Sequence, residues 1–243
     1  MTNISITESG TLEDNLSYIQ SAAGELFIHA GCSSRLYHTG GRAILNVNCP
    51  VDYADVVVAE IKDKVAEIIA IKYKYDFFKS TLSVGGLKSV EKEILFASLI
   101  AADLDDDKKY AFDKIKNSQE IAVDGLFNFR LKLLKKKWLE VAECIPQCFL
   151  NTQLKEFITY LTENKKKRVY VDGETVYDSH YRRLKRTSLL GGENAKIVRE
   201  VLLSNCGEVE LNGQIPQEDE FYLKEYYCDK IFFTRAGNGN CLN

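Results

Sequence analysis

The chain of 243 residues is poor in histidine, and the three it has are not arranged for metal binding. His29 and His38 fall on strands that we predict to be adjacent, but no Cys or carboxylate pattern accompanies them. Cys144 and Cys148 would suit two ligands on one helical face, yet Pro146 between them breaks that geometry. No second Cys or His pair stands at zinc spacing. The sequence therefore predicts no metal site.

Motifs for nucleophilic catalysis and phosphate binding are also missing. No GxSxG serine motif occurs. Gly191 and Gly192 precede a predicted helix whose N-terminus could bind an anion, but the phosphate-loop spacing and its following Lys-Ser/Thr are absent. The carboxylates of "DLDDD" and "QEDE" match no calcium-loop pattern, and we interpret them as solvated acidic caps. We expect a protein that is not an enzyme and needs no cofactor.

Long hydrophobic runs are absent as well. The longest, around "ILFASLIAA", is about half the length that a membrane span needs. The N-terminal "MTNISITESGTLED" lacks the basic and apolar regions of a secretion signal. The seven Cys are odd in number and suggest no disulfide framework, so we expect free thiols. These observations predict a cytoplasmic protein without a membrane span.

The hydrophobic pattern of the first third predicts strands followed by a long helix. The segment "GELFIHAGCSSRLYHTGGRAILNVN" is predicted to form two or three short strands, the last two joined by a turn in which Gly40 and Gly41 take positive φ. Asp52 is placed to cap the helix. Apolar residues then recur at steps of three and four, as on one helical face. They are Val57, Ile61, Val65, Ile68, Ile71, Tyr75, Phe78 and Leu82.

The middle of the chain predicts further helices. One covers about residues 88–104, the acidic "DLDDDKK" forms a solvated turn, and a shorter helix covers about residues 108–117. After a short strand at "EIAVD", Asp124 is placed to cap an amphipathic helix. Arg130 lies at the edge of its apolar face and could pair with a carboxylate. That face is expected to be buried and carries Phe127, Leu131, Leu134, Trp138, Val141 and Ile145.

The last third predicts a hairpin and a mixed segment. In "RVYVDGETVYD" a loop over residues 172–175 would set Val171 opposite Val176, whereas a two-residue Asp172–Gly173 turn would shift that register. A helix over about residues 193–204, a strand at "EVEL", an acidic helix start after Pro216 and a strand at "KIFFT" follow.

The elements together predict an α+β protein in three parts. We assign residues 1–84 to a small N-terminal part with strands and a helix, residues 85–164 to a helical middle, and residues 165–243 to a smaller mixed part with a β-hairpin. The three parts can also form one continuous globular unit.

Charge is nearly balanced over the whole chain, at −3, but it is unevenly distributed. From Phe127 to Arg186 there are 14 Lys and Arg against 7 Asp and Glu. An anionic partner would explain the asymmetry, and so would basic and acidic parts of one chain that face each other; we favour the second explanation. The possible anionic-partner surface comprises Lys135, Lys136, Lys165, Lys166, Lys167, Arg168, Arg182, Arg183, Lys185 and Arg186.

Tyr170, Tyr177 and Tyr181 lie among the last two basic clusters. Lys and Arg neutralise phosphates, and tyrosine rings stack on exposed bases. A nucleic-acid-binding module is therefore an alternative, although a solvated helix back and a basic hairpin rim explain the same residues and are favoured. Binding to a membrane surface is disfavoured further, because Trp138 falls on the face expected to be packed in the core.

The segment "VDGLFNFRLKLL" is a short strand followed by a helix with a Phe-Arg-Leu element, and "KEFITYL" places a Glu-Phe-Ile element on the next helix. These segments resemble the YtxC-like family of sporulation proteins. The hairpin "RVYVDGETVYD" and the stretch from "AKIVREVLLSNCGEVEL" to "CDKIFFT" follow in the same order. The resemblance implies a role in endospore formation, with no catalytic residues and an unknown protein as partner.

Overall fold

The computed structural model describes residues 1–118 and 120–234, so Cys241 lies outside the described residues. Within them the chain is an α+β fold, as predicted, with strands towards both ends and helices between. The strands are β1 (Thr2–Ser9), β2 (Ser33–Thr39), β3 (Arg42–Cys49), β4 (Ile121–Ala122), β5 (Arg168–Asp172), β6 (Thr175–Tyr177), β7 (Glu208–Asn212) and β8 (Ile231–Phe233). The helices are α1 (Glu13–Ala22), α2 (Gly24–His29), α3 (Ala54–Ile68), α4 (Lys74–Thr81), α5 (Ser89–Ala101), α6 (Leu104–Ile115), α7 (Val123–Arg130), α8 (Lys132–Glu143), α9 (Asn151–Thr162), α10 (Lys196–Leu203) and α11 (Gln217–Tyr227).

The described chain separates into two compact units, each assembled from three stretches of sequence. The division predicted from the sequence, at residues 84/85 and 164/165, stays a prediction. Unit 1 comprises residues 1–83, 103–147 (without residue 119) and 188–191. Unit 2 comprises residues 84–102, 148–187 and 192–234.

The sheet of unit 1 has the strand order β2-β3-β1-β4. β3 is antiparallel to both β1 and β2, and the short β4 is parallel to β1. Side chains alternate between the faces of a strand, so one face of β1 and β3 is buried and apolar while the other is polar. The buried face includes Ile4, Ile6, Leu45 and Val47. The polar face includes Asn3, Ser5, Asn46 and Asn48.

The β2–β3 hairpin forms as predicted, but the strand expected before it does not. Gly40 and Gly41 have φ of 57° and 75°, and they connect the paired residues Thr39 and Arg42. Residues Gly24–His29 form helix α2 instead of a strand, so His29 and His38 are not on adjacent strands. Strand β1 was not predicted, although its apolar residues alternate with polar ones, the usual pattern of a half-buried strand.

The predicted long helix is present with a π-helical turn in its middle. Ile69–Tyr73 form this turn between α3 and α4. Asp52 does not cap the helix: it lies in a 3₁₀ turn, and α3 begins at Ala54 without a side-chain cap. The predicted apolar face is buried from Val57 to Phe78, and Leu82 is half-buried.

The predicted amphipathic helix is broken into α7 and α8 at Leu131, whose φ and ψ are −109° and 32°. On the predicted buried face, Leu131, Leu134 and Trp138 are buried on both sides of the break, whereas Phe127, Val141 and Ile145 are only half-buried. Asp124 does not cap α7. It lies in the first turn and forms an ion pair with Arg42, whose Nη2 is 2.7 Å from Oδ1. Arg130 donates from Nη1 to Ser118 Oγ at 2.9 Å, not to a carboxylate.

Unit 2 has a sheet of order β6-β5-β7-β8, with β6 antiparallel and β7 parallel to β5. Val171 pairs with Val176, so the hairpin adopts the first of the two predicted registers.

The "QEDE" carboxylates are not all solvated: Asp219 is buried and accepts a hydrogen bond from the N–H of Val198 at 3.0 Å. Burial raises the pKa of Asp219, and the N–H donors of α10 act against that rise. The N-terminus of α10 is therefore capped from within the chain.

Within the described residues, no helix combines the length and the hydrophobicity needed to cross a membrane. In the same part of the chain, no three His, Cys, Asp or Glu side chains are grouped so that they could hold a metal ion.

Candidate functional site

Two of the predicted basic residues of unit 2, Arg168 and Arg182, form ion pairs. Arg168 lies directly opposite Glu208 in the sheet, with Nη2 2.7 Å from its carboxylate, and Nη1 lies 3.2 Å from Glu210. Its guanidinium carbon also lies 4.4 Å from the ring centre of Phe232. Arg182 pairs with Asp178 at 2.8 Å. These contacts are what the favoured interpretation expected, in which basic and acidic parts of one chain face each other.

Two other predicted residues donate hydrogen bonds to carbonyl groups at the C-terminus of α10. Lys167 Nζ donates to the carbonyl oxygen of Ser204 at 2.8 Å, and Arg186 Nη1 donates to that of Leu203 at 2.7 Å. The last carbonyls of a helix lack partners within the helix and carry partial negative charge, so cations there are stabilising. Lys167 and Arg186 thus have a structural use.

The remaining predicted residues of unit 2 differ in their exposure to solvent. Lys165, Lys166 and Arg183 are exposed, while Lys185 is half-buried. In unit 1, Lys136 is exposed and lies 3.7 Å from Glu140.

Lys135 Nζ lies 4.0 Å from the ring centre of Phe127, and it donates to Asn128 Oδ1 at 3.3 Å. Partial burial lowers the pKa of this lysine. Lys135 is therefore the most desolvated member of the predicted surface in unit 1, and Lys136 its solvent-facing neighbour.

The largest departure from the sequence analysis is a buried charge network at the start of α6. Lys74 is fully buried between Asp103 and Asp107, and its Nζ is 2.7 Å from Asp107 Oδ2. Lys137 Nζ lies 2.5 Å from Asp103 and 2.6 Å from Asp107. The indole N–H of Trp138 donates to Asp107 Oδ2 at 2.8 Å. Two carboxylates predicted to be solvated therefore neutralise a buried cation.

The signal for this network was present in the sequence. Lys74 stands three residues after Ile71 and four before Phe78, within the helical stretch that the apolar stripe predicted to be buried. A cation there needs a buried carboxylate partner, because an unpaired charge is costly to remove from water. The pKa of Lys137 is lowered by burial but is raised overall by hydrogen bonds and charge from the two aspartates.

An open groove lies beside this network, between α6 and α8. Its volume is about 250 Å³. It is lined by Asp106, Asp107, Tyr110, Leu133, Leu134 and Lys137. Leu133 is 68% exposed, which is unusual for a large apolar side chain, and Phe129 before it on α7 is 78% exposed.

A second buried titratable group lies in the sheet of unit 1. Glu8 on β1 is fully buried; its Oε1 accepts from Tyr73 at 2.6 Å and from Asn15 at 2.9 Å. Its Oε2 has no hydrogen-bond partner in the part of the chain that the structure describes. Burial raises the pKa of Glu8 to about 7, a rise opposed chiefly by the bonds from Tyr73 and Asn15. Tyr73 ends the π-helical turn, so that turn helps to place its hydroxyl at the carboxyl group.

These features differ in what they can do chemically. Glu8 is closed to solvent, and Lys74 and Asp107 are buried and paired within the network, whereas Lys137 is partly exposed and lines the groove. The groove between α6 and α8 is open, partly apolar and next to exposed cations. It is suited to receive a side chain from another molecule.

Comparisons with known proteins add no relative. No protein-family model matches the chain, and no curated protein or solved structure matches it either.

Proposed function

We propose that this is a non-enzymatic cytoplasmic protein that acts in endospore formation by binding a partner protein through the groove between α6 and α8. The observation that carries the proposal is Leu133, a large apolar side chain exposed at the lip of a groove that it helps to line. Large exposed apolar residues beside a concave site are typical of protein-binding surfaces.

The charge around the groove specifies the partner. Lys132 and Lys136 are exposed on α8, and Arg130 is exposed just before the break. Lys132 and Lys136 stand on either side of Leu133 in sequence. Across the groove, Asp107 is neutralised by Lys74 and Lys137, while Asp106 is exposed. A partner segment with an apolar side chain for the groove and acidic residues for α8 therefore fits best.

The sporulation role rests on the resemblance of "VDGLFNFRLKLL", the segment that supplies Leu133, to the YtxC-like family. The proposed groove and the family resemblance thus concern the same part of the chain.

The experiment is the yield of heat-resistant spores from the source organism with the gene deleted, complemented by wild-type or variant genes. We expect deletion to reduce the yield strongly, wild type to restore it, and Leu133→Asp not to restore it. Leu139→Asp is the matched control, because Leu139 is exposed on the same helix but does not line the groove. Full restoration by Leu133→Asp would refute the groove, and a normal yield after deletion would argue against the sporulation role.

Nucleic-acid binding by unit 2 is the second candidate. It is favoured by one observation: Tyr181 is 68% exposed and stacks on Tyr170 at 4.7 Å, close in sequence to the exposed Arg183. An exposed aromatic ring beside cations is the arrangement that binds unpaired bases.

A further inference from the structure

The edge of the sheet in unit 1 is formed by a long strand with a free side. β2 spans seven residues and, among the described residues, pairs with β3 alone, so its other side faces away from the sheet. Edge strands of this length present backbone N–H and C=O groups that can pair with another strand, and proteins usually protect them with proline, a bulge or several charges. β2 contains no proline, pairs with β3 without a bulge from Ser33 to Thr39, and carries one Arg.

The hairpin determines which residues of β2 direct their main-chain N–H and C=O groups away from β3. A two-residue loop closes on a pair that exchanges both of its hydrogen bonds, here Thr39 and Arg42. Bonded pairs then alternate along an antiparallel ladder, so Tyr37 and Arg35 also direct their main-chain groups to β3. Leu36, between them, directs its N–H and C=O outward.

We infer that β2 is a self-association surface, on which a second copy of this chain adds its own β2 in antiparallel orientation about Leu36. In that arrangement Leu36 pairs with Leu36 of the partner subunit, and the two residues exchange two backbone hydrogen bonds. The two four-stranded sheets become one sheet that continues across a twofold axis.

The side chains of β2 favour this register. A twofold axis at Leu36 sets Arg35 opposite Tyr37 of the partner subunit, and Ser33 opposite Thr39 of the partner subunit. Within one copy, the Arg35 guanidinium already lies 5.9 Å from the Tyr37 ring centre, so the two groups are compatible neighbours. A register centred one residue earlier would set Arg35 against Arg35 of the partner subunit, a like-charge pair that destabilises a sheet.

Apolar surface next to β2 agrees with a partner there. Helix α2 packs against β2, and its Ile28 is 79% exposed. Leu36 is only half-buried on the same edge. A second copy paired with β2 would cover more of Leu36. Because two paired strands bury little area, we expect a dimer of roughly micromolar dissociation constant rather than a permanent one.

The first test is sedimentation of the full chain over a range of concentrations, with Leu36→Pro as the variant. Proline removes the outward N–H and is tolerated on an edge strand. We expect wild type to form a dimer, and Leu36→Pro to raise the dissociation constant at least about tenfold with an unchanged circular dichroism spectrum. Wild type that stays monomeric at concentrations of several hundred micromolar would overturn the inference, and so would a folded Leu36→Pro variant that dimerises normally.

A second variant keeps the test valid if Leu36→Pro fails to fold. Two Cys at the paired positions would lie within the range of Cα separations that a disulfide allows. Under mild oxidation Leu36→Cys should therefore form a covalent dimer that wild type and Arg35→Cys, treated alike, do not form. Equal cross-linking of all three would overturn the proposed register. None of these substitutions touches the groove between α6 and α8, so their outcome is independent of the proposed function.

Discussion

At the scale of single residues, Trp138 shows how a core aromatic can also serve a charge network. It is fully buried, its ring centre lies 5.8 Å from that of Phe77 and also from that of Phe127, and its N–H donates to Asp107. Trp138→Ala should lower the free energy of unfolding by about 3–5 kcal/mol, because it empties a packed site. Trp138→Phe keeps most of the packing but removes a hydrogen bond to a charged group, for which we expect a loss of about 1.5–3 kcal/mol.

The measurement for both variants is urea unfolding followed by circular dichroism, since the only tryptophan is removed. A Phe variant as stable as wild type would show that the bond to Asp107 contributes nothing net. An Ala variant with unchanged stability would contradict the buried face of α8 itself.

Glu8 predicts a pH dependence of stability. Its pKa in the folded protein, about 7, lies above its ordinary value of 4.5, so the folded state binds the proton more tightly than the unfolded state does. Stability from this group is therefore greatest at low pH and falls as pH rises from about 4.5 through 7. Glu8→Gln cannot ionise, so its stability relative to wild type should rise by about 2 kcal/mol between pH 5 and pH 8.

Chemical denaturation of both proteins at pH 5 and pH 8 measures how the stability difference between Glu8→Gln and wild type changes with pH. The comparison cancels the constant effect of the substitution, such as any cost of an amide at Oε2. A relative stability that is flat with pH would mean that Glu8 titrates near its ordinary value. The nearby ionisable groups are Tyr73, Asp124 and Arg42. Tyr73→Phe should move the pH dependence of stability to higher pH, because the hydrogen bond from the Tyr73 hydroxyl lowers the pKa of Glu8.

At the scale of elements, the sequence predicted helices and registers well where a regular pattern continued and less well where it was interrupted. The apolar stripe from Val57 to Phe78 was correct, and the pairing of Val171 with Val176 was one of the two registers left open, with a loop of residues 173–174 instead of 172–175. The π-helical turn at Ile69–Tyr73 and the break at Leu131 were missed. No Pro or Gly marks either position, and both keep apolar residues facing the core, so the hydrophobic pattern carries no sign of them.

Gly207 illustrates an element boundary that depends on close backbone approach. A Cβ at this position would lie 2.0 Å from the carbonyl oxygen of Lys165, and the Gly207 N–H donates to the carbonyl of Lys167 at 2.9 Å. Gly207→Ala must therefore displace the backbone that enters β5. We expect thermal unfolding to show a loss of at least about 2 kcal/mol.

Gly24→Ala is the matched control for that measurement. Gly24 begins α2, and a Cβ there would meet no atom within 4 Å. Because alanine favours helix and restricts the unfolded chain, this variant should be neutral or stabilised by up to about 1 kcal/mol. A Gly207→Ala protein that is as stable as the Gly24→Ala protein would contradict the close contact with Lys165.

At the scale of the whole molecule, the partners of charged residues could not be predicted from the sequence. Basic clusters are visible as runs, but their carboxylate partners lie far away in the chain: Arg168 meets Glu208 and Glu210. Lys74 within the apolar stripe indicates a buried cation, but its partners Asp103 and Asp107 were missed, because charge pairing between distant segments leaves no local pattern. The groove was missed because only tertiary structure brings α6 beside α8.

These pairings lead to a prediction that separates the two proposed functions. Of the predicted anionic-partner residues in unit 2, Lys165 and Lys166 are exposed cations that directly precede β5, while Arg168 is neutralised. With a net charge of −3, the molecule should bind single-stranded DNA weakly, with a dissociation constant above about 100 µM at physiological salt. Replacing Lys165 and Lys166 by Glu should then change nothing in a fluorescence-anisotropy titration. The contrary outcome is tight binding of wild type that weakens steeply with salt and is abolished in the double variant. That outcome would favour the nucleic-acid function over the groove, because binding through phosphate contacts releases counterions in proportion to the number of cations involved.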